Sequence, residues 1–284
     1  MAVARRIPVE ILVADSRQVY RGMDVGTAKP SPEARASVPH HLLDLVDPSE
    51  PFSVAQWVER ARQLIPEIAA RGRSPLLVGG TGLYVAALVD GHDYAAQAWD
   101  PALRASLTAT LESDGLEPLV ERLTDAAPHV AATLDTANPR RVLRAIERAE
   151  AGGEEPRRDP YPGRVTLIGL ERPREVLYRR IDERARWLFA NGLLDEVGEL
   201  TRAGFGPDLR PMTGHGYAEA MRYVAGEWTL DRAIEMTARR TRQYAKRQLT
   251  WFRRDPRVTW LDAGDRPAED LVEEALRVFD SPTG

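Results

Sequence analysis

Two short apolar runs that each break off into polar or glycine residues constrain this chain more than any other feature. The first, Val9 to Ala14, alternates apolar residues and stops at Asp15. The second, Leu76 to Val78, runs into a glycine-rich turn, "GGTG", at Gly79 to Gly82. Between them Ser53 opens a helix, with Ser53 and Gln56 as a capping box and Gly72 as its stop. Strand, helix and strand joined by a crossover this long are the signature of a parallel α/β sheet.

The texture changes from about Tyr94 to Gly163, where alanine, leucine and charged residues follow a helical period and no strand is convincing. A loop, "AGGEEPRRDPYPG", closes that region. Strand character resumes in "RVTLIGL", and the helix after it places Leu177, Ile181 and Leu188 on one face. The final third reads as mostly helical, with a last short strand at Val258 to Leu261. The expected architecture is an α/β core of residues 1–93 and 164–284, with its C-terminal part helical, interrupted by a helical insertion domain at 94–163.

Composition narrows the class. Hydrophobic residues make up 43% and charged residues 29%, as in ordinary soluble globular proteins. No apolar run approaches the roughly 20 residues that span a bilayer. Arginines interrupt the N-terminus where a signal peptide would be apolar. With no cysteine, disulfides, thiolate metal sites and a cysteine nucleophile are excluded. A cytoplasmic protein is expected. The net charge of -4 argues against a uniformly basic nucleic-acid binder, yet the only lysines are Lys29 and Lys246. The remaining positive charge is arginine, whose planar fork suits phosphate, so local clusters carry more weight than the total.

Asp15 lies where the first strand ends, and ligands of parallel sheets bind at the carboxyl ends of strands. There it is either a proton acceptor or metal ligand, or simply a turn or helix-capping aspartate. Ser16, Arg17 and Gln18 add donors and acceptors beside it. Gly79, Gly80 and Gly82 are either an anion-binding concavity or a plain tight turn, and Thr81 adds a hydroxyl at the same sheet end. In "NPRRVLRAIE", Asn138 is the N-cap and Pro139 the first helical residue, so Arg140, Arg141 and Arg144 sit at the positive end of a helix. An anionic ligand, or a partner such as Glu147, accounts for them.

The stretch "ARRTRQYAKRQLTWFRRDPR" puts Arg239, Arg242 and Lys246 on one helical stripe, with Arg240, Arg247, Arg253 and Arg254 near it. Ala238, Ala245, Leu249 and Phe252 mark a packing stripe, and Tyr244 and Trp251 place aromatic rings among the charges. Such a helix tracks a phosphate backbone, or else pairs with acidic neighbours, of which only Asp255 is close in the chain. His40 and His41 point to opposite sides of an extended segment, which favours a structural or substrate-shaping role over a metal site.

Five stretches, "ADSRQVYRGMDVGTAKP", "PHHLLDLVDPSEPFSVAQW", "LLVGGTGLY", "NPRRVLRAIE" and "RQYAKRQLTWFR", together resemble the tRNA dimethylallyltransferases, or tRNA isopentenyltransferases, in order and spacing over most of the chain. The resemblance implies a P-loop-type α/β core with a helical insertion domain that grips RNA. It implies transfer of a dimethylallyl group from its diphosphate to N6 of the adenosine 3′ of the anticodon. Asp15 would be the general base and Thr81 would approach the reacting centre. Asp15, Ser16, Arg17 and Gln18, the run Arg140, Arg141, Val142, Leu143 and Arg144, and then Arg242, Lys246 and Arg247 would contact the tRNA anticodon stem-loop. Gly79, Gly80 and Gly82 would hold the diphosphate, with Mg²⁺ as the implied cofactor and no protein metal ligand assigned. A monomer with no membrane attachment is expected.

One part of that pattern is missing. The family opens with a strand and a phosphate-binding loop of the form G-P-T-[AG]-S-G-K-[ST], whereas this chain contains no Gly-Lys dipeptide. The first strand, the loop and about one helical turn are therefore expected to be absent, as in a shortened chain. The alternatives are an impaired tRNA-binding remnant, and an enzyme that holds diphosphate with Thr81, the Gly79 to Gly82 backbone and arginines alone. Within the enzyme class, the rival is an isopentenyltransferase of free adenine nucleotides. A further departure is Thr213, before Gly216 and Tyr217, where the family often carries a basic or amide side chain; His215 is a possible substitute.

Overall fold

The computed structural model describes residues 1–91, 100–151 and 158–280. Its elements run β1 (Val9–Ala14), α1 (Pro32–Ser37), β2 (His40–His41), α2 (Val54–Ala70), β3 (Ser74–Gly79) and α3 (Gly82–Val89). There follow α4 (Pro101–Ser113), α5 (Glu117–Ala126), α6 (Pro128–Ala131) and α7 (Pro139–Glu150). The chain continues through β4 (Leu167–Glu171), α8 (Arg174–Ala190), α9 (Leu193–Arg202), α10 (Tyr217–Val224), α11 (Leu230–Phe252), β5 (Val258–Asp262) and α12 (Val272–Asp280). These form two compact units, Met1–Val89 with Pro162–Gly284, and Asp90–Tyr161. The expected domain junction near residue 94 and part of the loop after Ala151 lie outside the described residues.

In the larger unit β1 is the middle of a three-stranded parallel sheet, ordered β2-β1-β3. Leu12 is in register with His41 on one side and Leu77 on the other. All six residues of β1 are buried, as a strand covered on both faces requires. Ser53 and Gln56 close the capping box of α2, and Gly72 takes the left-handed backbone (φ +69°) that ends it. Trp57 then anchors α2 on the sheet. It is fully buried, stacks on Tyr84 with ring centroids 4.7 Å apart, and its indole N–H donates to the Val13 carbonyl at 3.1 Å. A second parallel pair, β4 with β5, aligns Gly169 with Trp260.

Glu10 is the charged exception inside β1. Arg71 reaches its two carboxylate oxygens at 2.9 and 2.7 Å, and His41 Nε2 lies 2.7 Å from one of them. His41 is therefore a structural histidine, while His40 Nδ1 lies 2.7 Å from the Val38 carbonyl. Among the described residues no group of three or more His, Asp or Glu side chains is placed to hold a metal ion. No helix among them is long and apolar enough to cross a membrane.

The segment after β1 is pinned by two buried charges. Glu196 on α9 accepts hydrogen bonds from the backbone N–H groups of Asp24, Val25 and Gly26 at 2.7, 2.6 and 3.1 Å, and from the Tyr217 hydroxyl at 2.5 Å. Gly26 must be glycine, because a Cβ there would stand 2.4 Å from the Tyr217 ring. Lys29, its side chain 1% exposed, reaches the Tyr20 carbonyl, Asp24 and Asp44. Buried charges survive when each is paired or fully hydrogen-bonded, and both of these are.

The smaller unit is helical, as its periodicity predicts. Leu107, Leu119, Leu123, Val142 and Ile146 form its core. Glu147, 2% exposed, is held there by Arg104 and Arg144.

Hydrogen bonds from Arg71, and secondarily from His41, hold the Glu10 carboxyl at about 2 despite the opposing effect of burial. The folded value lies below the ordinary 4.5, so the stabilisation is complete above that pH and is lost as pH falls towards 2. Glu10→Gln is expected to lower the urea midpoint at pH 7 and to flatten its decline between those two pH values. An acid limb as steep as that of the parent would remove this network as its cause.

Candidate active site

The carboxyl end of β1 and the turn after β3 are locked to each other. The Thr81 N–H donates to the Ala14 carbonyl at 3.2 Å, and the Ser16 N–H donates to the Thr81 hydroxyl oxygen at 3.1 Å. Asp15 Oδ1 accepts the Arg17 N–H at 2.8 Å, so the aspartate does close a turn as well as face the site. Burial raises the Asp15 carboxyl, while the Arg17 and Gln18 N–H groups and the Arg17 charge oppose that shift. The result is a partly buried carboxylate more basic than an ordinary aspartate. Gln18 turns away from it, donating to the Thr27 carbonyl at 3.0 Å.

Helix α11 roofs the turn. Gln248 donates to the Gly80 carbonyl at 3.0 Å, and the Tyr244 hydroxyl reaches the same oxygen at 3.4 Å. The three glycines make room for protein atoms. A Cβ on Gly79 would stand 2.2 Å from the Ala14 carbonyl oxygen, one on Gly80 1.8 Å from Gln248 Nε2, and one on Gly82 2.3 Å from the Trp251 ring. Tyr244, Gln248 and Trp251 fall at i, i+4 and i+7, a single helical face, which is the sequence signal for this packing. Burial raises the Tyr244 hydroxyl, helped by the nearby Asp15 charge.

Positive charge surrounds this end of the unit. Arg17 Nη1 donates to the Arg210 and Pro211 carbonyls at 2.5 and 3.1 Å, and Arg240 Nη2 donates to the Thr213 carbonyl at 3.2 Å. The ring of His215 meets that of Tyr244 edge-on, centroids 5.4 Å apart. Burial, then the Arg240 charge, lowers His215 to about 4; Arg247 and Arg17 add to this and Glu219 opposes it.

The basic helix is more compensated than the sequence indicates. Arg240 pairs with Glu219, Arg242 with Asp182 and Arg253 with Glu171, acids far away in the chain. Arg239, Lys246, Arg247 and Arg254 are exposed and form no ion pair among the described residues. Arg247 lies over the Tyr244 ring at 5.7 Å. In the smaller unit, Asn138 stands at the N-cap of α7, but its side chain makes no capping hydrogen bond. Arg141 pairs with Asp135 at 3.2 Å and Arg144 with Glu147 at 3.0 Å, while Val142 and Leu143 are buried in that unit's core. Arg140 is exposed.

Residues 18–255 match the family model described as IPP transferase. A tRNA dimethylallyltransferase of Heliobacterium modesticaldum is 43% identical, the match covering all of this chain and 91% of that protein. Among solved structures, the full-length tRNA isopentenylpyrophosphate transferase of Bacillus halodurans superposes with a TM-score of 0.72 at 41% identity, covering 98% of this chain and 89% of the other. A eukaryotic dimethylallyltransferase captured acting on tRNA gives a TM-score of 0.81 at 25% identity, covering 98% and 73%.

The surroundings of the glycines predict a ranking. Gly79→Ala sets a side chain against fixed backbone, so its cost should approach about 3 kcal/mol, the upper part of the overpacking range. Gly80→Ala meets only the end of Gln248 and should cost nearer 1 kcal/mol. Urea unfolding measures both, and adding Gln248→Ala to Gly80→Ala should recover most of the loss. Equal costs for the two alanines would contradict the packing described.

Proposed function

The chain belongs to the IPP transferase family of tRNA dimethylallyltransferases, and on that premise we propose that it transfers a dimethylallyl group from dimethylallyl diphosphate to N6 of the adenosine 3′ of the anticodon in tRNA. The observation that carries the mechanism is Asp15, a partly buried carboxylate of raised basicity at the end of β1, beside Thr81 and Tyr244.

An exocyclic adenine amine is a weak nucleophile whose proton becomes acidic only as it attacks. In the proposed step the N6–C1 bond forms, the C1–O bond to diphosphate breaks, and the N6 proton passes to Asp15. A base whose basicity burial has raised is better matched to that task, and such help is typically worth about 10²–10⁴-fold. Two backbone N–H groups keep the carboxylate oriented and ionised until then. Thr81, whose oxygen accepts the Ser16 N–H, is the residue assigned to hydrogen-bond a reacting group beside Asp15.

The leaving diphosphate gathers negative charge, and guanidinium groups can stabilise it in the transition state. Arg17 is assigned that task, with Arg210 within electrostatic reach of it. Mg²⁺, which the family resemblance implies, finds no cluster of carboxylates or imidazoles among the described residues. Asp15 is the carboxylate beside the turn, and it is committed to the amine. An Mg²⁺ ion would draw on substrate phosphates as well as protein oxygens, and the steps assigned to the side chains do not pass through it.

For RNA, the exposed cations Lys246 and Arg247 are the proposed contacts on α11, with Arg242 secondary because Asp182 already holds it. Arg140 and Arg141 are the proposed contacts of the smaller unit. The adenine must leave its stack to reach a site at the end of a buried strand.

Transfer of labelled dimethylallyl to an anticodon stem-loop tests the reading. Asp15→Asn should lower single-turnover transfer by about 10²-fold or more with stem-loop affinity nearly unchanged. Equal losses in both would make Asp15 a binding residue instead. Replacing Lys246 and Arg247 by alanine should reduce the salt slope of stem-loop binding by roughly 0.7–0.9 for each phosphate that the variant no longer neutralises. A slope unchanged in the double variant would take α11 out of the interface.

A further inference from the structure

His215 is an unused hydrogen-bonding group set among positive charges. It is half-buried, and its ring nitrogens form no hydrogen bond with any described residue. The backbone that carries it is held from two directions, by Arg17 on the Arg210 and Pro211 carbonyls and by Arg240 on the Thr213 carbonyl. Gly216, just after it, takes a left-handed φ of +91°. The groups facing the imidazole are Arg17 from the turn after β1, Glu219 from α10, and Arg240, Tyr244 and Arg247 from α11. Glu219 neutralises Arg240. Arg17 spends its hydrogen bonds on neutral carbonyls and Arg247 lies over an aromatic ring, so neither is matched by a carboxylate in direct contact.

Resting on the function proposed above, we infer that His215 hydrogen-bonds the phosphate oxygens that enter this arginine cluster and holds a proton more readily once they bind. Burial and the charges of Arg240, Arg247 and Arg17, partly offset by Glu219, disfavour an imidazolium here. A phosphate group reverses the effect of those charges and offers acceptors to the free ring nitrogens, forming charge-assisted hydrogen bonds. Anion binding and protonation are then reciprocal, each strengthening the other by the same factor. The phosphate can belong to a diphosphate or to an RNA backbone, and the two sources separate experimentally.

The test is an NMR pH titration of the imidazole signals of the full chain with isotopically labelled histidine, His215 being assigned with His215→Asn. It is run without ligand, with inorganic pyrophosphate, and with an anticodon stem-loop. The midpoint for His215, near 4 without ligand, is expected to rise by about two units or more when phosphate binds. A rise with pyrophosphate assigns the site to diphosphate, and a rise with the stem-loop alone assigns it to an RNA phosphate. Relative to His215→Asn, the parent's affinity for that ligand should gain up to about tenfold per unit as pH falls below the raised midpoint. Binding of both ligands with the His215 signal unmoved overturns the inference and leaves the proposed function standing. Failure of both to bind at neutral pH overturns the two together.

Discussion

The packing of α11 onto the Gly79–Gly82 turn is the interaction on which the rest of the site depends. Gly79 can approach the last carbonyl of β1, and Gly80 and Gly82 can accept Gln248 and Trp251, only because none of the three carries a side chain. The same packing sets Tyr244 close enough to the buried Asp15 to feel its charge. The same helix turns Lys246 and Arg247 outward. One helix thus closes the reacting centre with one face and presents cations to solvent with another.

Charge is distributed to match. Acids that serve the fold are buried with dedicated partners: Glu10 with Arg71, Glu147 with Arg104 and Arg144, and Glu196 with three backbone N–H groups and Tyr217. Among the described residues Asp15 has only backbone donors as hydrogen-bond partners, so its oxygens remain available to a substrate proton. Beside it Arg17 retains positive charge for phosphate. His215, whose imidazole feels the Arg17 charge, leaves one further group whose charge follows the occupant of the site.

Much of the scaffold is readable from local rules. The apolar run of β1, the capping box at Ser53, the stop at Gly72 and the Asn138-Pro139 helix start depend on neighbours within a few residues, and the structure places elements there. What local rules miss is long-range. Asp182, Glu219 and Glu171 compensate the basic helix from positions that no spacing argument brings near it. The glycine turn reads in sequence as a concavity for an anion, but in space its glycines admit Ala14, Gln248 and Trp251. Glu196 looks like one more surface acid on an amphipathic helix, and only the fold shows it gathering three backbone N–H groups. His41 is settled in the same way, by Glu10 on the adjacent strand.

The most direct test of the claim that α11 tunes Asp15 is the pH dependence of single-turnover dimethylallyl transfer in the parent chain and in Gln248→Ala. The account predicts an acid limb centred above the ordinary aspartate value of 3.8 in the parent. Loosening the roof should move that limb back towards the ordinary value, because water regains access to the carboxylate. A parent limb at or below the ordinary value, or the same raised limb in both proteins, would contradict it.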